Sequence, residues 1–96
     1  MHRNELLANL VELVRGLYAD TNGFLERTDE LQAWYNRGYA NGVIGVLRDR
    51  AADVDLDVLG ELDPADTIAA QEWLPWGRAY RHGLEKGREE ALEVLE

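Results

Sequence analysis

The sequence predicts an all-α fold, a small bundle of three main helices, the last of them kinked or broken near Pro75. Apolar residues recur at three- and four-residue steps over most of the chain, which is the spacing of one helical face. A motif in which glycines at helical spacing follow a tyrosine occurs twice, as YNRGYANG from Tyr35 and as YRHGLEKG from Tyr80. The length of 96 residues suits one core, so we expect a single helical domain over residues 1–96.

The first two predicted helices are separated by a stop signal. The apolar stripe of the first helix consists of Leu6, Leu7, Leu10, Val14, Leu17 and Tyr18. Asn22 and Gly23 end it, because both residue types tolerate the left-handed conformation that terminates helices. We expect Phe24 and Leu25 to fold back onto the core. The second helix should begin at Thr28 as its N-cap and run to about Arg50.

The third helix is predicted to begin at Asp63 and Pro64, after the non-helical segment that follows Arg50. Asp63 is a suitable N-cap and Pro64 a suitable first helical residue. Pro75 lacks the backbone donor that would bind the carbonyl of Gln71, so we expect a kink or a short break near Leu74. The helix then continues to the end of the chain.

The repeated glycines predict a close crossing of two helices. Each interior helical glycine costs about 1 kcal/mol of stability relative to alanine. The two predicted helices contain five such glycines, which need a compensating interaction: Gly38, Gly42, Gly45, Gly83 and Gly87. An offset of 45 residues (83 − 38) superimposes the two motifs, and close approach of the two backbones is the natural compensation. The residues of this crossing are Tyr35, Gly38, Gly42, Tyr80, Gly83 and Gly87. Gly45 shares the same face, whereas Gly77 is expected to be uncrowded.

The second helix is also apolar on its back, through Tyr39, Val43, Ile44 and Leu47. A helix that is apolar nearly all round is either central or covered by another chain. We expect the first helix to cover part of this surface, which leaves room for a homodimer.

The charge of the chain is typical of a salt-adapted organism. Acidic residues number 19 against 10 basic ones, the net charge is −9, and Lys86 is the single lysine. Self-repulsion of this size in dilute salt is screened in concentrated salt. The alternative is an ordinary acidic protein that binds a basic partner.

Composition argues against an enzyme. The chain contains neither cysteine nor serine, so the usual covalent nucleophiles and cysteine-based metal sites are absent. His82, Glu85 and Glu89 share a helical face, but Arg81–Glu85 and Lys86–Glu90 pairs explain that face better. The alternating Asp53, Asp55 and Asp57 lack the glycine and the glutamate of a calcium loop. We therefore expect no cofactor and no metal.

The same features bear on location. No apolar run approaches the length that a membrane span needs. The N-terminus lacks the features of a secretory signal, so we expect a cytoplasmic protein that does not enter a membrane.

Two groups of polar residues are candidates for binding. Arg37, Asn41 and Arg48 edge the glycine face of the second helix, and His82 and Lys86 occupy the equivalent positions of Arg37 and Asn41. They are predicted either to bind an anion or an acidic partner group, or to solvate the helix edge. Arg78, Arg81, His82 and Lys86 form a basic face that glutamates dilute.

The sequence thus favours a non-enzymatic protein-interaction or regulatory module of a halophile that associates with itself. The alternative is a nucleic-acid-binding regulator that uses the basic and aromatic face from Arg78 to Arg88.

Overall fold

The computed structural model describes residues 2–50, Asp63 and residues 71–95, with side chains from Glu5 onward. The described chain is helical: α1 is His2–Asp20, a 3-10 turn is Phe24–Glu26, α2 is Leu31–Arg50 and α3 is Pro75–Leu95. These residues include three α-helices and no strand, which confirms the predicted all-α class. The predicted helix from Pro64 and the acidic segment with Asp53, Asp55 and Asp57 lie outside the described residues.

The end of α1 follows the sequence prediction closely. Gly23 adopts a left-handed φ of 76°, which turns the chain after α1. The backbone N–H of Phe24 then donates to the Thr21 carbonyl at 3.0 Å, and the Phe24 side chain is buried. Leu25 was expected to fold back onto the core as well, but its side chain is exposed, so this prediction is wrong.

The start of α2 differs from the prediction. The helix begins at Leu31, three residues after the expected N-cap Thr28. A turn comes first, in which the Glu30 N–H donates to the Arg27 carbonyl at 3.0 Å. The Trp34 indole donates to the same carbonyl at 3.1 Å, and the Arg27 guanidinium binds both carboxylate oxygens of Glu30. These contacts stabilise the turn where local propensity alone predicts the helix to start.

Pro75 is the first residue of α3, and the turn before it is the break predicted near Leu74. Proline suits this position because its missing N–H would have no helical partner there. A turn precedes the helix, in which the Leu74 N–H donates to the Gln71 carbonyl at 3.0 Å. This turn packs against Gly77: a Cβ there would lie 2.5 Å from the Gln71 carbonyl carbon. The expectation that Gly77 is uncrowded is therefore wrong.

The helices α2 and α3 cross with their backbones in contact, as the glycine motifs predict. A Cβ built on Gly38 would lie 2.8 Å from the Tyr80 carbonyl carbon, closer than real Cβ atoms come to other atoms. A Cβ on Gly83 would lie 2.8 Å from the carbonyl carbon of Tyr35. Gly42 is crowded in the same way by the backbone of Leu84 and Arg88, and Gly87 by the backbone of Tyr39. The two backbones approach so closely because these positions carry no side chain.

The contacts at the crossing show that α2 and α3 run parallel and are related by an approximate two-fold axis. Gly38 faces Tyr80 and Leu84, and Gly42, one turn later, faces Leu84 and Arg88. These contacts have counterparts 45 residues away, where Gly83 faces Tyr35 and Tyr39, and Gly87 faces Tyr39. Gly45 does not take part, because a Cβ there would meet nothing within 4 Å. Gly45 therefore shares the helical face of Gly38 and Gly42 but not their contact with α3.

The main core lies between α1, α2 and the end of α3. Its buried members are Leu7, Leu10, Val14, Ala40, Val43, Ile44, Val46, Leu47 and Ala91. The back of α2 is thus covered within the chain, with Val43, Ile44 and Leu47 all buried. The back of α2 at Val43, Ile44 and Leu47 therefore gives no reason to expect a homodimer, and of the four residues named there Tyr39 is the one that stays partly exposed.

None of the helices in residues 2–50 and 71–95 combines the length with the apolar character that crossing a lipid bilayer requires.

Candidate functional site

A buried polar cluster lies beside the crossing, centred on Arg37. This side chain is 9% exposed. Its Nε and Nη2 donate to the two carboxylate oxygens of Asp63 at 2.7 and 3.1 Å, an ion pair with bidentate geometry. The remaining nitrogen, Nη1, donates to the Tyr18 carbonyl at 3.2 Å and to the Thr21 hydroxyl at 3.1 Å. Arg37 therefore joins α1, α2 and Asp63.

Aromatic rings enclose the guanidinium. Its central carbon lies 3.6 Å from the centre of the Tyr18 ring and 4.9 Å from that of Phe24. Stacking of this kind suits arginine, whose planar cation is weakly hydrated. Because these contacts come from α1 and the 3-10 turn, they fix the position of Arg37 without Asp63.

Asn41 connects the same carboxylate to α1 and α3. Its amide nitrogen donates to Asp63 Oδ2 at 2.9 Å and to the Tyr80 hydroxyl at 2.7 Å. The Tyr18 hydroxyl donates to the Asn41 side-chain oxygen. Within the described part of the chain, no buried side-chain nitrogen or oxygen lacks a hydrogen-bond partner. The cluster is thus a fully connected network.

The network controls the ionisation of its members. Burial alone raises the pKa of the Asp63 carboxyl, but hydrogen bonds from Arg37 and Asn41 and the Arg37 charge outweigh it, so this pKa lies below its ordinary value. Burial and the Asp63 charge raise the pKa of Tyr18 to about 12. Burial likewise raises the pKa of Tyr80. Asp63 is therefore the anion of the cluster, and both phenols stay neutral.

Arg37 and Asn41 were candidate anion-binding residues, and the anion they contact is Asp63 of the same chain. Asp63, Tyr18 and Thr21 were missed as members of this cluster. Tyr18 had been assigned to the apolar stripe of α1 and Asp63 to a helix cap. No local signal pairs Asp63 with a residue 26 positions earlier.

We call the side of the crossing that carries Arg37, Asn41 and Tyr80 the first flank. The approximate two-fold axis places His82, Lys86 and Tyr35 at the equivalent positions on the second flank. His82 and Lys86 are exposed, and Tyr35 is half-buried. A carboxylate also joins the helices here, since the Tyr39 hydroxyl donates to Glu90, which lies 3.7 Å from Lys86.

The remaining candidate binding residues lie on the surface. Arg48 is exposed in the last turn of α2, and Arg78 and Arg81 are exposed in the first turns of α3. Arg81 pairs with Glu85 and lies 3.7 Å from Glu72. The predicted Arg81–Glu85 and Lys86–Glu90 pairs are therefore confirmed. Among residues 5–50, 63 and 71–95, no three His, Asp or Glu side chains form a group that could bind a metal ion.

A second surface feature lies where α2 and α3 begin. Because these helices are parallel, Leu31 at the start of α2 and Trp73 before α3 belong to the same end of the molecule. Leu31 is 48% exposed, Trp73 is 70% exposed, and Leu25 of the preceding 3-10 turn is 46% exposed. We call these three residues the tryptophan end.

A rigid aromatic cluster underlies this surface. Phe24 packs edge-on against Trp34 with ring centres 4.9 Å apart, and Trp34 lies 6.3 Å from Trp76. The Trp76 indole donates to the Gln71 side chain at 2.7 Å. Arg78 donates to the Trp73 carbonyl at 2.9 Å, which ties the exposed tryptophan to α3.

No protein-family model matches the chain, and no curated protein or solved structure is significantly similar to it.

Proposed function

We propose that the protein is a non-enzymatic protein-interaction module that associates with a second copy of itself through the tryptophan end. The observation that carries this proposal is the exposure of Trp73, at 70%, at the end of the molecule that also carries the exposed Leu25 and Leu31. A large exposed apolar group is unfavourable in water unless another surface covers it. Tryptophan is also the residue type most enriched among the energetically dominant contacts of protein interfaces.

Charge favours a second copy as the partner. Of the described residues close to this end in the sequence, Arg27, Arg78 and Arg81 are cations and Glu26, Asp29, Glu30 and Glu72 are anions. The whole chain has a net charge of −9, so most of the repulsion between two copies arises elsewhere. A two-fold interface needs a patch complementary to itself, and a rim with both signs of charge meets that requirement.

Sedimentation velocity at several protein concentrations in molar salt tests the proposal. We expect a concentration-dependent dimer that Trp73→Ala weakens at least tenfold. Leu13→Ala is the matched control, because Leu13 is exposed to a similar degree as Leu25 but lies on α1. A strict monomer at every concentration, or equal dimerisation of both variants, would overturn the proposal.

We also propose that the protein functions in the cytoplasm of a salt-adapted organism. The acidic surface and the single lysine support this proposal. Since salt screens the self-repulsion, we expect cooperative unfolding in molar salt and a marked loss of stability in dilute buffer. Circular dichroism during heating measures this stability. Equal melting temperatures in molar salt and in dilute buffer would contradict salt adaptation.

Nucleic-acid binding is a second candidate function at the same surface. Trp73 lies beside Arg78 and Arg81, and an exposed indole next to cations is the arrangement on which single-stranded bases stack. Pairing of Arg81 with Glu72 and Glu85 weakens this candidate. Titration with single-stranded and duplex oligonucleotides at moderate and high salt decides it. Binding lost in Arg78→Ala would favour it, and absence of binding at moderate salt would eliminate it.

A further inference from the structure

We propose that Tyr18, Arg37, Asn41 and Tyr80 form a preformed receptor for one carboxylate group, which Asp63 fills within the chain and which accepts a carboxylate from another molecule when Asp63 is absent. The receptor residues all come from α1, α2 and α3. The occupant comes from the connection between α2 and α3. Receptor and occupant are therefore separate parts of the structure.

The donors of the receptor are oriented by contacts that do not involve Asp63. Arg37 Nη1 binds the Tyr18 carbonyl and the Thr21 hydroxyl, and the Tyr18 ring packs against the guanidinium. Nε and Nη2 of Arg37 then point together at one position, which is occupied by the Asp63 carboxylate. This paired geometry matches a planar oxyanion with two oxygens.

Asn41 adds a third donor with a fixed direction. The Tyr18 hydroxyl donates to its side-chain oxygen, and this bond orients the amide nitrogen towards Asp63 and the Tyr80 hydroxyl. Three N–H donors thus converge on one carboxylate, at 2.7, 2.9 and 3.1 Å. Because the donors are already in place, little reorganisation opposes the binding of a free carboxylate.

The burial of Arg37 supplies the driving force. In Asp63→Ala the guanidinium stays largely buried with no anion beside it, and an unpaired buried charge strongly destabilises the fold. An anion that binds only the folded state then stabilises it by mass action. At an acetate concentration ten times its dissociation constant, the ratio of folded to unfolded protein rises about elevenfold.

Chemical rescue is the test. Asp63→Ala is unfolded by heat while potassium acetate or formate replaces potassium chloride at constant ionic strength. We expect its melting temperature to rise with acetate and to saturate. In wild type and in Asp49→Ala, which removes an exposed acid of α2, we expect only the small general effect of changing the anion. An equal response of all three proteins would overturn the proposal.

A second measurement and one further variant keep the test decisive. If Asp63→Ala is unfolded in chloride, recovery of helical circular dichroism on adding acetate is the expected result, and no recovery contradicts the proposal. Asp63→Ala combined with Arg37→Met lacks the guanidinium, so we expect it to show no specific response. A rescue of the double variant as large as that of Asp63→Ala would place the anion elsewhere.

The source of the carboxylate is distinguished by comparing acetate with the synthetic peptide GELDPAD, which is residues 60–66, and its counterpart GELNPAD. Saturation by GELDPAD at lower concentration than by acetate, with no effect of GELNPAD, assigns the receptor to an aspartate in a peptide segment. Equal potency of acetate and GELDPAD assigns it to the carboxylate alone. GELNPAD keeps the carboxylates of Glu61 and Asp66, so rescue by GELNPAD as strong as by GELDPAD contradicts an assignment of the receptor to the aspartate at position 63.

Discussion

The two flanks of the α2–α3 crossing share one backbone geometry but have different surroundings. At the crossing, Gly38 meets the Tyr80 carbonyl as Gly83 meets that of Tyr35. On the first flank, α1 covers Arg37, whose partner is a largely buried carboxylate. On the second flank, the equivalent residue His82 is exposed. Glycine therefore fixes how α2 and α3 meet, whereas the packing of α1 decides which polar side chains beside the crossing become buried.

The largest effect is expected at the crossing itself, where both flanks depend on the same contact. Gly38→Ala and Gly83→Ala each place a methyl group against a backbone carbonyl, which cannot move aside as a flexible side chain can. We expect each substitution to lower the free energy of unfolding by about 3 kcal/mol or more, although alanine is the better helix former by about 1 kcal/mol. Chemical unfolding followed by circular dichroism measures this. A higher melting temperature for either variant would refute the close crossing.

The next effect separates the two flanks. Arg37→Met leaves the Asp63 carboxylate without its cation and should lower the free energy of unfolding by about 3 kcal/mol. This is the low end for breaking a buried ion pair, because both side chains keep some exposure to water. His82→Met, at the equivalent position, should change stability by no more than about 0.5 kcal/mol because the site is exposed. Equal losses in the two variants would show that the flanks are not different environments.

Acid should destabilise the first flank through Asp63. Because the pKa of Asp63 is lower in the folded state, its contribution is present above the unfolded pKa of about 3.9 and is lost as pH falls through the folded value. Asp63→Asn cannot ionise, so its stability should fall less steeply than that of wild type below about pH 4. Parallel pH profiles from denaturant unfolding would contradict this role of Asp63.

The smallest effect contrasts crowded with open glycines. A Cβ on Gly45 or Gly16 would meet nothing within 4 Å, and neither has a positive φ. Gly45→Ala and Gly16→Ala should therefore each stabilise by about 1 kcal/mol through helix propensity. Gly42→Ala, one turn from Gly45, should instead destabilise, because its Cβ would lie 2.8 Å from the Arg88 nitrogen. If Gly42→Ala raised the stability of the protein, the difference between crowded and open glycines would be refuted.

The features that residue pattern alone predicts correctly are those that depend on local spacing. The repeated glycine motifs predicted the pairing of Gly38 and Gly42 with Gly83 and Gly87, and the left-handed turn at Gly23 followed from residue type. These predictions succeeded because helical period and glycine's backbone freedom act within a few residues.

Contacts between distant segments follow from the packing of the helices and not from local pattern. This packing placed Gly45 in open space and Gly77 against a turn, although both are helical glycines. It also paired Arg37 with Asp63, which shares no local pattern with it. The physical reason is that the crossing angle, the register and the burial of each side chain depend on α1, α2 and α3 together. A buried arginine needs a carboxylate partner, because an unpaired charge away from water strongly destabilises the fold.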